Sequence, residues 1–161
     1  MKHSVHASAA VLPLVLLVSG AAAQTSKDLV GTWMAVSVVA DQGGNKVEPY
    51  GSNPKGTLTF SENGRYTVIL SRSDLPKFAS NNRVTGTPEE NKAVVQGSIA
   101  HFGTYSAEGD KIVFRIETAT YPNWNGAEQI RSFTLTENEL RYTVPAASGG
   151  GTSQLVWKRA K

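Results

Sequence analysis

Apolar side chains recur at every second position through most of this chain, in short runs separated by turn-forming residues. Leu58 and Phe60 share one parity, and Tyr66, Val68, Leu70 and Arg72 form a longer row. Ile112, Phe114 and Ile116 make another, with Arg115 and Glu117 opposite. Gln129, Arg131, Phe133 and Leu135 follow, then Leu140, Tyr142 and Val144. Successive side chains of a strand point to opposite faces, so each row is one strand face turned inward, away from water. The runs Leu29–Val39, Thr57–Phe60, Arg65–Arg72, Ile99–Tyr105, Lys111–Thr118, Gln129–Thr136, Leu140–Val144 and Gln154–Lys158 predict eight strands. Glu62-Asn63-Gly64, Glu108-Gly109-Asp110 and Glu137-Asn138-Glu139 are short enough to join antiparallel neighbours directly.

One stretch departs from this period. Thr87-Pro88-Glu89-Glu90 sets a capping Thr, a proline at the first helical position and a Glu three residues after the cap. Asn91–Gln96 continues as a short helix, and Gly97 supplies a stop. Ser73–Ser98 therefore reads as an ordered insertion between the third and fourth strands, long enough to fold over one end of the sheet as a lid. The fold class is all-β. A closed antiparallel barrel and a two-sheet sandwich both satisfy the alternation, and closure is favoured because it leaves no strand edge exposed.

The first residues follow a different pattern. Lys2, His3 and His6 precede the apolar run Ala9–Val18, and Ala21-Ala22-Ala23 offers small residues for cleavage. Residues 1–23 are expected to be a signal peptide, which leaves 24–161 as a single domain that is periplasmic or secreted. The apolar run is too short for a membrane span and contains Pro13, so no membrane anchor is expected. There is no cysteine, which removes disulfides, thiolate nucleophiles and thiolate metal sites. Sixteen Lys and Arg against thirteen Asp and Glu, without a basic run, make no case for nucleic acid. Beyond the leader the only histidine is His101, so a histidine-rich metal site is excluded and no cofactor is implied.

Gly31-Thr32-Trp33 heads the first strand, and Trp157-Lys158-Arg159 ends the last. With them stand Pro49-Tyr50-Gly51, Gly64-Arg65-Tyr66, Asp74–Ala79, Gly86–Asn91, Phe102-Gly103-Thr104-Tyr105 and Pro122–Gly126. Together these resemble the bacterial and fungal lipocalin-like domain family over nearly the whole of residues 24–161. The resemblance implies an eight-stranded up-and-down barrel in which Trp33 plugs the closed end and Arg159 covers its ring. It implies no particular activity, so function rests on the candidate site itself.

Seven residues are candidates for contact with a ligand. Arg72 and Arg131 lie in inward rows, where a guanidinium needs either an internal carboxylate, such as Asp74 or Glu90, or the acid group of a bound molecule. Tyr66 and Tyr142 are hydroxyl donors beside them. His101 shares its parity with Tyr105, and reads either as a partly exposed strand residue or as a ligand or acid–base contact. Trp124, in a connection, is either a plug or a stacking platform at a cavity mouth. These residues fit an exported protein, a monomer or weak dimer, that holds a small hydrophobic molecule with an acidic or hydroxyl group. Two other readings compete: a cofactor-independent cyclase, isomerase or hydratase working inside the barrel, and a filled barrel with a structural or protein-interaction role.

Overall fold

The computed structural model describes residues 24–161, so the expected signal peptide lies outside the described residues. Strands β1 (Gly31–Gln42), β2 (Asn45–Val47), β3 (Lys55–Phe60), β4 (Arg65–Ser71), β5 (Ser98–Glu108), β6 (Lys111–Ala119), β7 (Glu128–Leu135), β8 (Glu139–Val144) and β9 (Thr152–Arg159) form one antiparallel sheet. Strands β3 to β9 pair in chain order, and β1 pairs with both β3 and β9, closing an eight-stranded up-and-down barrel. The sandwich alternative is thereby removed. Closure satisfies the backbone groups that an open sheet would leave bare at its edges.

Two elements depart from the predicted pattern. Strand β2 is a short hairpin return on the end of β1 and lies outside the barrel wall. The predicted first strand began at Leu29, but Ser26–Leu29 instead forms a helical turn, α1. Asp28 accepts from the Thr25 backbone and hydroxyl, and this capping favours the helix over an earlier strand start. The second helix, α2 (Pro88–Gly97), begins at the Thr87–Glu90 capping box read from the sequence. It lies between β4 and β5, the third and fourth strands of the barrel.

The hairpins after β3, β5 and β7 gather with α1 at one end of the barrel, which is closed. Trp33 is fully buried there, and its Nε1 donates to the Leu29 carbonyl at 2.9 Å. Arg159 lies over the Trp33 ring at 4.1 Å and donates to the carbonyls of Asp28, Val30 and Glu137. One side chain thus ties the helical turn, the plug and the β7–β8 hairpin together. Gly31 is required beneath it: its φ of +126° suits glycine, and a Cβ there would stand 3.1 Å from the guanidinium.

Above this plug the interior is a column of rings. Phe60 packs on Tyr105 and Phe114, Tyr66 meets Phe114 edge-on, and Tyr142 bridges Phe114 and Trp157. Leu58, Ile112 and Leu140 fill the gaps and are completely buried. These rows are the ones the alternation placed inward. The other end of the barrel, where residues 43–54, 72–97, 120–127 and 145–151 make the connections, is less tightly filled.

Candidate ligand-binding site

The open half of the barrel contains an apolar chamber. Val38, Val68, Leu70, Ile99, Val144 and Leu155 supply its walls, and its volume is about 50 Å³. Its polar lining comes from Arg131, His101, Tyr142, Tyr50, Ser148 and Ser153, with Trp124 to one side. Tyr50, Ile99, Ala147, Ser148 and Ser153 also line a larger vestibule of about 340 Å³ at the mouth. Chamber and vestibule are therefore two levels of one opening.

Arg131 is the central feature. It faces inward from β7 and is 2% exposed. Its guanidinium lies over the rings of Phe114 at 4.4 Å and Tyr142 at 5.1 Å. Nη2 donates to Gln129 Oε1 at 2.7 Å, and Nε is buried without an acceptor. Among the described residues no carboxylate comes within ion-pair distance of it, and none lines the chamber. Ring faces and one amide soften the burial of this charge, each by about 0.5–2 kcal/mol, but they do not neutralise it. An unpaired buried charge costs several kcal/mol.

His101 stands beside it and is also buried. Its Nδ1 is 2.8 Å from the Tyr66 hydroxyl, and its ring meets Trp124 edge-on at 5.6 Å. Burial first, and then the charge of Arg131, push the imidazole pKa down to about 3. The ring is therefore neutral at pH 7 and shares a hydrogen bond with the Tyr66 hydroxyl through Nδ1. Burial raises the Tyr66 and Tyr142 hydroxyls above their ordinary range, with Arg131 pulling both the other way. Tyr50 is pushed up to about 12, again chiefly by burial. At neutral pH the site thus presents one fixed positive charge among neutral donors and acceptors.

Trp124 reaches the chamber because β7 starts late. Glu128, its first residue, pairs with Arg115, midway along β6, so the upper part of β6 lacks a strand neighbour on its β7 side while still pairing with β5. A 3-10 turn over Pro122–Trp124 fills that gap. Ile116 bonds to Gly126 and Ala127 through the backbone, and Asn125 Oδ1 accepts from the Ala119 amide. The Trp124 indole is then held between His101 and Tyr121.

Of the seven residues singled out from the sequence, Arg131, His101, Tyr142 and Trp124 line the chamber, and Tyr66 supports it through His101. Arg72 does not face inward. It lies one residue beyond β4, its amide bonds to Gly97, and its guanidinium makes a two-pronged pair with Asp74 in solvent. Tyr105 does face inward, but at the closed end, where its hydroxyl donates to the carbonyls of Ser26 and Ser61. The partly exposed reading of His101 is corrected by its burial. The insertion 73–98 forms one rim of the mouth, through Val95, Gln96 and Ser98, rather than a cover over it. Tyr50 and Gln129 were missed. Gln129 was legible as the inward neighbour of Arg131, two residues back in the same row, whereas Tyr50 comes from a loop without periodicity.

A neutral His101 has no carboxylate beside it among the described residues. Nor does any group of three or more His, Asp or Glu able to hold a metal occur among them.

The family model described as lipocalin-like domain matches residues 30–160 of the chain. No curated protein matches it. Among solved structures, a mutant of the fluorescent protein UnaG is similar at a TM-score of 0.39 and 15% identity, over 84% of this chain and 98% of that one.

Proposed function

The chain belongs to the lipocalin-like domain family, and from that premise we propose that it binds a small, largely apolar molecule with an acid group inside its barrel. The observation that carries this reading is Arg131: a guanidinium 2% exposed, with Nε lacking an acceptor, at the boundary of an apolar chamber. A carboxylate entering the chamber supplies both the missing charge and the missing acceptor, in the forked geometry that guanidinium favours. Tyr142 and neutral His101 offer further hydrogen bonds. The same protein is proposed to act in the periplasm or outside the cell, delivered by residues 1–23, whose Lys2 start, apolar run Ala9–Val18 and Ala21-Ala22-Ala23 support this reading. Sequencing of the exported protein is expected to begin at Gln24.

One observation favours a filled barrel instead. The chamber's volume of about 50 Å³ is room for a few waters. Arg131→Met separates the two readings. Met fills similar space without charge, so the variant is expected to fold and to be equal or higher in stability, by about 1–4 kcal/mol. On the ligand reading it loses affinity for acidic molecules while keeping its fold, as judged by circular dichroism and calorimetric titration. Unchanged affinity in a folded variant overturns the assignment of the acid to Arg131.

A further inference from the structure

The two levels of the opening differ in size and in chemistry, and the difference selects a ligand shape. The chamber next to Arg131 has about 50 Å³ and apolar walls. An apolar cavity of about 150 Å³ is what accommodates one benzene ring. The chamber therefore takes an acid group on a short stem, but neither a ring nor a folded acyl chain. Below Arg131 the ligand has no room to continue, because Phe114, Tyr142 and Trp157 close the interior.

The vestibule above has about 340 Å³ and is framed by Tyr50, Tyr121, Val95 and Ile99. Gln42, Gln96, Ser98, Thr120 and Ser148 bring polar groups to the same space. Aromatic and aliphatic walls with interspersed donors and acceptors fit a flat ring carrying hydroxyl groups. A long alkyl chain gains nothing from the polar side and leaves its end in water. A single fixed positive charge at the bottom matches one negative charge, not two.

We infer that the ligand is an aromatic monocarboxylic acid with a short saturated or unsaturated stem, its acid on Arg131 and its hydroxylated ring in the vestibule between Tyr50 and Tyr121. This inference rests on the assignment of the acid group to Arg131 and adds the size and class of the remainder.

Isothermal titration with a graded set of acids tests it: benzoate, phenylacetate, phenylpropanoate, hydroxyphenylpropanoate, octanoate and hexadecanoate, with phenylpropanol as the uncharged control. Affinity is expected to rise from benzoate to phenylpropanoate by about tenfold or more and to rise again with the ring hydroxyl. Phenylpropanol is expected to bind about tenfold more weakly or not at all. Arg131→Met is expected to reduce the arylalkanoates to the level of the alcohol. Tightest binding by hexadecanoate, or equal binding of all the aryl acids, overturns the inference about stem and ring while leaving the acid on Arg131 in place. Binding of no acid in the set overturns both.

Discussion

His101 provides the sharpest test of the site's electrostatics. It is the one histidine in residues 24–161, and the fold holds its pKa at about 3 against an ordinary value of 6.5. An unfolded chain regains the ordinary value, so below pH 6.5 the unfolded state binds a proton that the folded state refuses. Stability therefore falls as the pH falls through this window, from the unfolded value down towards the folded one. Between pH 7 and pH 5 the loss amounts to about 2 kcal/mol, since each unit well below the unfolded pKa contributes about 1.4 kcal/mol. The carboxylates with lowered pKa, Asp28, Asp74, Glu90 and Glu117, take effect mainly below pH 5, because their unfolded values lie near 4. The control is His101→Gln, whose amide offers Tyr66 both a donor and an acceptor but does not titrate. Urea unfolding followed by tryptophan fluorescence at pH 7, 6 and 5 reads both proteins. The wild type is expected to lose about 2 kcal/mol more than the variant over that range. Equal slopes refute the reasoning, because they mean that folded His101 titrates near its ordinary value and that neither burial nor Arg131 keeps it neutral.

Two further outcomes follow from the closed end and from the support of the site. Arg159→Ala removes the cover of Trp33 and three donations to backbone carbonyls, and is expected to destabilise by about 2–3 kcal/mol in urea unfolding. A loss under about 0.5 kcal/mol would mean that the plug holds without its cover. Tyr66→Phe leaves buried His101 Nδ1 without its hydrogen-bond partner and is expected to destabilise by about 1–3 kcal/mol. The same variant is expected to bind carboxylates more weakly than the wild type in titration, because the imidazole loses the bond that orients it.

The rows Tyr66–Leu70, Ile112–Ile116 and Leu140–Val144 were readable because alternation is a local rule: parity alone says which face a side chain takes. By the same rule Arg131 was readable as an inward charge. Parity failed for Arg72, which continues the row of Tyr66, Val68 and Leu70 but stands past the last paired residue of β4. One further ladder bond, from the Arg72 amide to the Gly97 carbonyl, holds the backbone there, and Asp74, two residues on, captures the guanidinium in water.

Parity also says nothing about depth. His101 and Tyr105 share a face of β5, yet four residues of strand separate them by about 13 Å. One therefore borders the chamber and the other seals the closed end. Which end a residue reaches depends on the register of each strand against its neighbours and on where each strand starts. The late start of β7, which admits Trp124 to the chamber, is such a feature. Tyr50 reaches the chamber from a loop, and its place is set by what the loop packs against.

The sequence by itself determined an all-β fold, antiparallel connections, a capped helix between the third and fourth barrel strands, and Arg72 and Arg131 as the two arginines in inward rows. These follow from short-range rules of periodicity, turn chemistry and capping, each confined to a few neighbouring residues. Only the tertiary structure decided that Arg131 has no carboxylate partner among the described residues, that the histidine beside it is neutral, and that the space above them has two levels. Those properties depend on which side chains from β4, β5, β7 and β8 arrive at one height in the barrel. Closure of the sheet sets that height, through pairings between residues far apart in the chain.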